Sequence, residues 1–256
     1  DITNFIINEM CQPLHVFDAA QIKGGKVIVR RAAEGEKLTT LDGVERTLSA
    51  EDLVIADTEK PMCIAGVFGG EFSGVTEQTT DVFLECAYFN PVSIRKTSKR
   101  HTLKTDASFR YERGIDPQNC LYAAKRAALM IADLAGGTIT GKIQEFYPQP
   151  IEKAVVDLNY RRMEELIGKA IGSDTIKAIL GYMDFELLSE TAEGCTVAVP
   201  AYRVDVTREC DVVEDVLRIY GYNNIELPGG MRVSINPGEH PDPETVRKDV
   251  AEFFTH

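Results

Sequence analysis

The stretch KLTTLDGVERTL, residues 37–48, decides the fold of the first half of the chain. Two short segments with the composition of strands flank Asp42-Gly43, and Asp-Gly between such segments is a strong β-hairpin signal because glycine readily adopts the positive φ of a tight turn. Three further strand-like segments lie around the hairpin between residues 24 and 67: KVIVRRA, LVIAD and MCIAGV. The sequence therefore predicts a region of short β-strands.

A helix is predicted after this region. Asp116 is a good N-cap, and Pro117 suits the first helical position because the N–H that it lacks would have no partner there. Apolar residues then recur at helical spacing until Gly136-Gly137, and we expect this stripe to face the core: Leu121, Ala124, Ala128, Ile131 and Ala135. The next segment, TITGKIQEFYPQPIEK, predicts a strand that runs into a linker, with a domain boundary near residue 150.

The second half of the chain predicts a compact α+β unit. Its segments read strand, helix, helix, strand, strand and helix: AVVDL, YRRMEELIG, SDTIKAILGYM with Ser173 as cap, FELLS, CTVAVP and residues 207–220. This order resembles a winged helix. After Pro228 a Gly- and Pro-rich stretch precedes DPETVRKDVAEFF, which is typical of an opening helix.

Composition excludes several classes of protein. No apolar run approaches the roughly 20 residues of a membrane helix, so we expect a cytoplasmic protein without membrane contact. The cysteines form no CxxC pair, which disfavours a zinc or redox site. The net charge of −12 argues against general nucleic-acid binding. Basic residues nevertheless concentrate from Arg95 to Arg113, which fits either one anionic partner or a solvated loop.

Four motifs together carry a family resemblance: CQPLHVFDAAQI, IAGVFGGEFSGVTEQTTDVFLECAYFNPVSIRKTSKR, LKTDASFRYERGIDP and DVVEDVLRIYGYNNI. In this order they resemble the β subunit of bacterial phenylalanyl-tRNA synthetase. The resemblance implies an α+β chain in three parts. These are a mixed α/β B3/B4 tRNA-editing domain at 1–149 that lacks its N-terminal part, a winged-helix-like B5 domain at 150–228, and at 229–256 a linker with the start of a catalytic-like module.

The family's activity implies hydrolytic editing of tyrosyl-tRNA(Phe), together with tRNA binding and subunit assembly. The implied partners are tRNA(Phe) and the α subunit, in a heterotetramer of two α and two β chains, and ATP is used on the α subunit. An apolar pocket for phenylalanine rejects a hydroxylated analogue by only about 10²-fold. An editing site must therefore offer the tyrosine hydroxyl a buried hydrogen-bond partner, which phenylalanine would leave unpaired. The alternative is a non-catalytic tRNA-docking and assembly module.

The resemblance assigns residues to this site. It gives His15, Glu85 and Thr105 to catalysis and Gly69, Glu85, Thr105 and Ala107 to substrate binding. Each has an ordinary structural explanation as well: a structural histidine, an exposed acid at a strand end, a turn threonine, a glycine with positive φ and a packed alanine.

The expected chemistry is hydrolysis by direct attack of water. The sequence offers no Ser-His-Asp or Cys-His arrangement, so His15 or backbone N–H groups would stabilise the developing oxyanion. In the family, an arginine that contributes to the editing site lies just upstream of a segment like DITNF, with which this sequence begins. Whether this stretch hydrolyses mischarged tRNA alone is therefore left open.

A second set of residues predicts a magnesium site. Asp211, Glu214 and Asp215 fall at i, i+3 and i+4 of the last helix of the second unit, with Asp205 just before it. Carboxylate oxygens suit Mg²⁺, and the resemblance implies a Mg²⁺ site shared with the α subunit. The alternative is an acidic first turn that complements the helix dipole.

Overall fold

The computed structural model describes residues 1–226, 230 and 242–255. The helices and strands of the first half are α1 (Ile2–Met10), β1 (Leu14–Asp18), β2 (Ile28–Arg31), β3 (Lys37–Thr39), β4 (Glu45–Thr47), β5 (Leu53–Ala56), β6 (Pro61–Ile64), β7 (Phe68–Gly69), β8 (Val82–Cys86), α2 (Pro91–His101), α3 (Asp106–Tyr111) and α4 (Cys120–Ala135). Those of the second half are β9 (Val155–Asn159), α5 (Tyr160–Ile167), α6 (Ser173–Tyr182), β10 (Glu186–Glu190), β11 (Gly194–Ala198), α7 (Glu209–Tyr220) and α8 (Pro243–Thr255).

The predicted short strands of the first half are confirmed. Strands β2, β5, β6 and β7 form an antiparallel sheet in the order β2-β5-β6-β7, and β3 pairs with β4. Gly43 closes the β3–β4 hairpin with a φ of 74°. A separate antiparallel ribbon joins β1 to β8 and places His15 directly opposite Glu85. This ribbon is the base of the candidate site.

Two groups of apolar side chains hold these elements together. The larger core gathers the sheet, the ribbon and α2, with Phe17, Met62 and Ile94 fully buried. The smaller one lies where α1 and α4 pack together, around Ile6 and Ala123. Burial of such side chains supplies the main free energy that stabilises folding.

Three local predictions in the first half are wrong. Helix α4 begins at Cys120, because Asp116 instead accepts a hydrogen bond from the Gln118 N–H in a turn. The fully buried residues of α4 are Ala123 and Ala127, which lie beside the predicted stripe. Residues 136–152 form neither helix nor strand and are exposed, since no neighbouring strand pairs with them.

The second half follows the predicted element order. Strands β10, β11 and β9 form an antiparallel sheet in that order, and helices α5, α6 and α7 share a core with it around Met163, Ile176 and Val212. Ser173 is the first residue of α6, whereas Gly172 is its N-cap. The glycine- and proline-rich stretch after residue 228 falls almost wholly outside the described residues. Among the described helices, none combines the length and the apolar character that crossing a membrane requires.

Candidate functional site

The site is organised by the cross-strand pair His15 and Glu85. Because they are direct partners in an antiparallel ribbon, their side chains leave the same face. Gly69 of β7 lies against this face: a Cβ at Gly69 would come within 2.8 Å of His15 Cε1 and 2.8 Å of Leu41 Cδ1. The φ of Gly69 lies outside the positive range. Close approach, and not a special backbone angle, therefore explains this glycine.

A cavity of about 70 Å³ lies between the ribbon, β5 to β7 and α3. It is lined by Pro13, Leu14, His15, Ile55, Cys63, Ile64, Gly66, Val67, Phe68, Gly69, Glu85, Phe89, Ala107 and Tyr111. The structure thus brings together the predicted residues His15, Gly69, Glu85 and Ala107. A cavity that accepts benzene measures about 150 Å³, so an aromatic ring would fit here only if the lining moved apart.

Glu85 is the most unusual group in the cavity. Its Oε1 atom is buried and has no hydrogen-bond partner among the described residues. Burial raises the pKa of this carboxyl to about 8, so the acid is mostly neutral at pH 7. A buried polar atom without a partner costs about 1–3 kcal/mol. A ligand that supplied the missing hydrogen bond would recover part of this cost.

His15 is held in a similar state. Its Nε2 atom is buried and likewise lacks a partner in the described part of the chain. Burial lowers the pKa of the imidazole, and the ring packs edge-on against Phe17 at a centroid distance of 4.5 Å. A neutral imidazole both donates and accepts hydrogen bonds. His15 and Glu85 therefore present two unsatisfied polar groups side by side.

Thr105 has a different position from the one predicted. It is not among the residues that line the cavity. Its hydroxyl donates to the Val67 carbonyl at 2.8 Å and accepts from the Ser108 N–H at 3.0 Å, which caps α3. Thr105 thus holds the start of the helix that carries Ala107 into the cavity wall, and no contact of its hydroxyl with the cavity is seen.

Cys63 and Tyr111 line the cavity but were missed in the sequence. Cys63 lies in an apolar strand segment that gives no chemical signal. Burial raises the pKa of its thiol far above the usual range, and the nearby Glu85 adds to this, so the sulfur stays protonated and is a poor nucleophile. Tyr111 follows Ala107 by one helical turn of α3, and that spacing could have indicated it.

The basic residues from Arg95 to Arg113 lie on α2 and α3 and on the short non-helical segments that follow each helix. In α2, Arg95, Lys96 and Lys99 are exposed and make no salt bridge within the described residues. His101, the last residue of α2, lies with its Nε2 2.7 Å from Asp52 Oδ2. Arg100 also pairs with Asp52. Only part of the basic stretch is therefore free to meet an anion.

The predicted magnesium ligands do not fit a metal site as they are arranged here. Asp205 and Asp215 both pair with Arg203, at 3.1 and 2.7 Å. Asp211 pairs with Arg208 at 2.8 Å and accepts backbone N–H bonds at the start of α7, and Glu214 is exposed. The described residues contain no group of three or more His, Cys, Asp or Glu that could hold a metal ion. The magnesium site stays a prediction from the family resemblance alone.

Comparison with known proteins gives consistent matches. Residues 1–136 match the family model of the B3/4 domain, and residues 156–222 match that of the tRNA synthetase B5 domain. The chain is 56% identical over 235 residues to the phenylalanine-tRNA ligase beta subunit of Bacteroides fragilis, which covers 92% of this chain and 29% of that protein. It is 53% identical over 253 residues to the beta subunit of Bacteroides thetaiotaomicron, which covers 98% of this chain and 31% of that protein.

A solved structure also matches. It is an N-terminal fragment of the phenylalanyl-tRNA synthetase beta subunit from Pyrococcus horikoshii, with 18% identity, a TM-score of 0.44, and coverage of 86% of this chain and 64% of that one. The chain spans roughly a third or less of the length of the curated relatives it matches.

Proposed function

The chain belongs to the family of phenylalanine-tRNA ligase beta subunits, and on that premise we propose that its first unit hydrolyses tyrosyl-tRNA(Phe). The proposed parent protein is cytoplasmic, binds tRNA(Phe) and assembles with α subunits, which carry the ATP-dependent charging site, as two α and two β chains. We assign the editing domain to residues 1–149, the B5 domain to 150–228, and a linker with the start of a further module to 229–256.

The buried Oε1 atom of the Glu85 carboxyl, which has no hydrogen-bond partner among the described residues, carries this proposal. The hydroxyl of a tyrosine side chain would supply the missing partner, whereas phenylalanine would leave the carboxyl unsatisfied. A buried polar group left unpaired costs about 1–3 kcal/mol, which corresponds to discrimination of roughly 5- to 150-fold. As a neutral acid, Glu85 donates to the phenol oxygen or accepts its hydrogen. Either bond separates tyrosine from phenylalanine.

Direct attack of water is the chemistry that these side chains support. The thiol of Cys63 is protonated because burial raises its pKa, so it does not serve as a covalent nucleophile. Neutral His15, whose buried Nε2 has no partner among the described residues, would hold a water molecule or the ester oxygen by hydrogen bonding. Water adds to the ester carbonyl, the bond to the ribose oxygen breaks, and tyrosine and tRNA with a free terminal hydroxyl are released.

Substitution of Glu85 in the full-length enzyme tests the proposal. Glu85→Ala should lower the rate of tyrosyl-tRNA hydrolysis by about 10- to 100-fold, and Glu85→Gln should have a smaller effect because the amide still forms hydrogen bonds. Charging with phenylalanine should not change. Glu77→Gln, in an exposed loop, is the matched control. Hydrolysis at the wild-type rate in Glu85→Ala would refute the proposal, and a joint loss of hydrolysis, charging and thermal stability would show that Glu85 is structural.

A second candidate function is tRNA docking without catalysis. The exposed cations Arg95, Lys96 and Lys99 of α2 favour it, because they make no salt bridge among the described residues. Contacts between such cations and the phosphates of tRNA would make binding steeply salt-dependent. This candidate would replace the first if Lys96→Glu and Lys99→Glu weakened tRNA binding while the wild-type enzyme hydrolysed tyrosyl-tRNA no faster than the uncatalysed reaction.

A further inference from the structure

Two buried side chains close the β1–β8 ribbon next to the site. The last ladder pair is Leu14 and Cys86. Beyond this pair, the next residue on the β1 side is Pro13, which has no N–H to donate, and the next residue on the β8 side is Ala87. Side chains donate to their carbonyl oxygens instead: Gln12 Nε2 lies 3.2 Å from Pro13 O and 3.0 Å from Ala87 O, and the Tyr111 hydroxyl lies 3.3 Å and 3.0 Å from the same two atoms.

Three donor hydrogens in this group face four acceptor lone pairs. The Gln12 amide has two hydrogens and the Tyr111 hydroxyl has one, against two carbonyl oxygens with two lone pairs each. Gln12 is 1% exposed and Tyr111 is 2% exposed, so water is not at hand to replace either donor. Loss of one donor would leave a buried carbonyl under-satisfied.

The group connects the two walls of the cavity. Side chains alternate along a strand, so Pro13 lies on the same side of the ribbon as His15, and Ala87 on the same side as Glu85. Tyr111 lies one helical turn after Ala107, and both line the cavity. The hydroxyl of Tyr111 therefore ties helix α3, which carries one wall, to the end of the ribbon that carries the opposite wall.

We propose that Tyr111 and Gln12 are positioning residues that set the distance between α3 and the His15–Glu85 pair, and thereby determine which amino-acid side chain the cavity admits. Neither touches the scissile bond in this account. The inference rests on the proposed editing function, because selectivity has a meaning only if the cavity receives an aminoacyl group. A loosened cavity would also admit water to Glu85.

The first test measures selectivity in the full-length enzyme. Tyr111→Phe keeps the ring and removes the hydroxyl. We expect kcat/KM for tyrosyl-tRNA hydrolysis to fall by about 3- to 10-fold and the preference for tyrosyl- over phenylalanyl-tRNA to fall with it. Gln12→Met should reduce both further, because it removes two donors. Tyr88→Phe is the matched control, since the Tyr88 hydroxyl forms no hydrogen bond within the described part of the chain, and it should behave as wild type.

The second test does not depend on activity. Carbon-13 NMR of the Glu85 carboxyl in this chain should give a pKa near 8 in the wild type, and a value lower by about one unit or more in Tyr111→Phe, because water then reaches the group. If Tyr111→Phe lowers only the melting temperature, with selectivity and the Glu85 pKa unchanged, the positioning role is wrong. If Tyr111→Phe lowers the pKa of Glu85 but the wild-type enzyme hydrolyses no tyrosyl-tRNA, the positioning role of Tyr111 stands and the proposed function fails.

Discussion

At the scale of single residues, Gly69 is a site position at which the reason for glycine is a side chain far away in the sequence. The sequence left two explanations for it, because the ring of His15 approaches from another strand and leaves no mark near residue 69. The structure separates them through the 2.8 Å distance from a Gly69 Cβ to His15 Cε1.

Gly69→Ala should therefore be costly. The added methyl group meets the His15 ring, and overpacking of this kind costs about 1–3 kcal/mol. We expect a loss of that size in the free energy of unfolding by urea denaturation, and a fall in tyrosyl-tRNA hydrolysis. Gly74→Ala is the control, because the atom nearest to a Cβ at Gly74, apart from its chain neighbours, lies 3.6 Å away. Equal stability of the two variants would contradict the close-approach explanation.

Glu85→Gln should change how stability depends on pH. The pKa of Glu85 is raised by burial to about 8, above its value of about 4.3 in an unfolded chain. Between these values the folded state binds a proton that the unfolded state does not, so the stability of the wild type falls as pH rises through this window. Glutamine does not titrate.

The free energy of unfolding of Glu85→Gln, relative to that of the wild type, should therefore rise between about pH 4 and pH 8, by at most about 5 kcal/mol at 1.36 kcal/mol per pKa unit. Glu77→Gln should show no such trend. Parallel stability profiles of Glu85→Gln and wild type, measured by chemical denaturation, would mean that the carboxyl is ionised and solvated in the folded protein.

The burial of Glu85 could not be predicted from its strand. The pattern VFLE suggests apolar residues inside and an acid outside, yet Val82 and Phe83 are 43% and 39% exposed while Glu85 Oε1 is buried. Only the family resemblance indicated this residue. Local hydrophobicity fails here because one face of β8 supplies a cavity and not a packed core.

At the scale of elements, the prediction from sequence is correct where residues inside the element determine its structure. The Asp42-Gly43 hairpin was predicted correctly because the turn is encoded by its own residues. Helix α2 also has a local signal, since Asn90 accepts from two N–H groups and Pro91 follows it, although the sequence interpretation above predicts no helix there. The start of α4 was misplaced because Asp116 bonds within a turn. The predicted strand after residue 137 failed because strand formation needs a partner.

Hydrogen bonds to Asp52, next to β5, connect helix α2 to the sheet region, so replacing Asp52 should weaken the packing of α2. The side chain is fully buried and accepts from Thr97, His101 and Arg100. Burial alone would raise the pKa of Asp52, but hydrogen bonds from the Ser49 N–H, His101 and Thr97 outweigh it and lower the pKa. Asp52→Asn should destabilise the protein by about 2–4 kcal/mol at pH 7.

The sign of the pH effect follows. A lowered pKa gives stability that is present above about pH 4 and is lost as pH falls through the folded-state pKa. The difference between wild type and Asp52→Asn should therefore shrink toward pH 2–3 in thermal melts, while exposed Asp133→Asn changes little throughout. A difference that stays constant down to pH 2 would show that the charge of Asp52 is not what holds α2.

At the scale of the whole molecule, element order was easier to predict than side-chain arrangement. The second unit follows its predicted order because each helix and strand carries its own pattern, and its core lies apart from that of the first unit along the chain. The carboxylates of α7 did not gather as expected, because Arg203 and Arg208 pair with them. The Arg208–Asp211 pair is local, at i and i+3, whereas the Arg203–Asp215 pair joins residues further apart in the sequence and depends on the fold.

The central claim is that the Glu85 carboxyl distinguishes tyrosine from phenylalanine. The most direct measurement is calorimetric binding of two hydrolysis-resistant, amide-linked analogues, tyrosyl- and phenylalanyl-aminoadenosine, to the full-length wild type and to Glu85→Ala. We expect the wild type to bind the tyrosyl analogue at least about 10-fold more tightly and Glu85→Ala to bind both alike. Equal affinities in the wild type, or a preference that survives in Glu85→Ala, would contradict this claim.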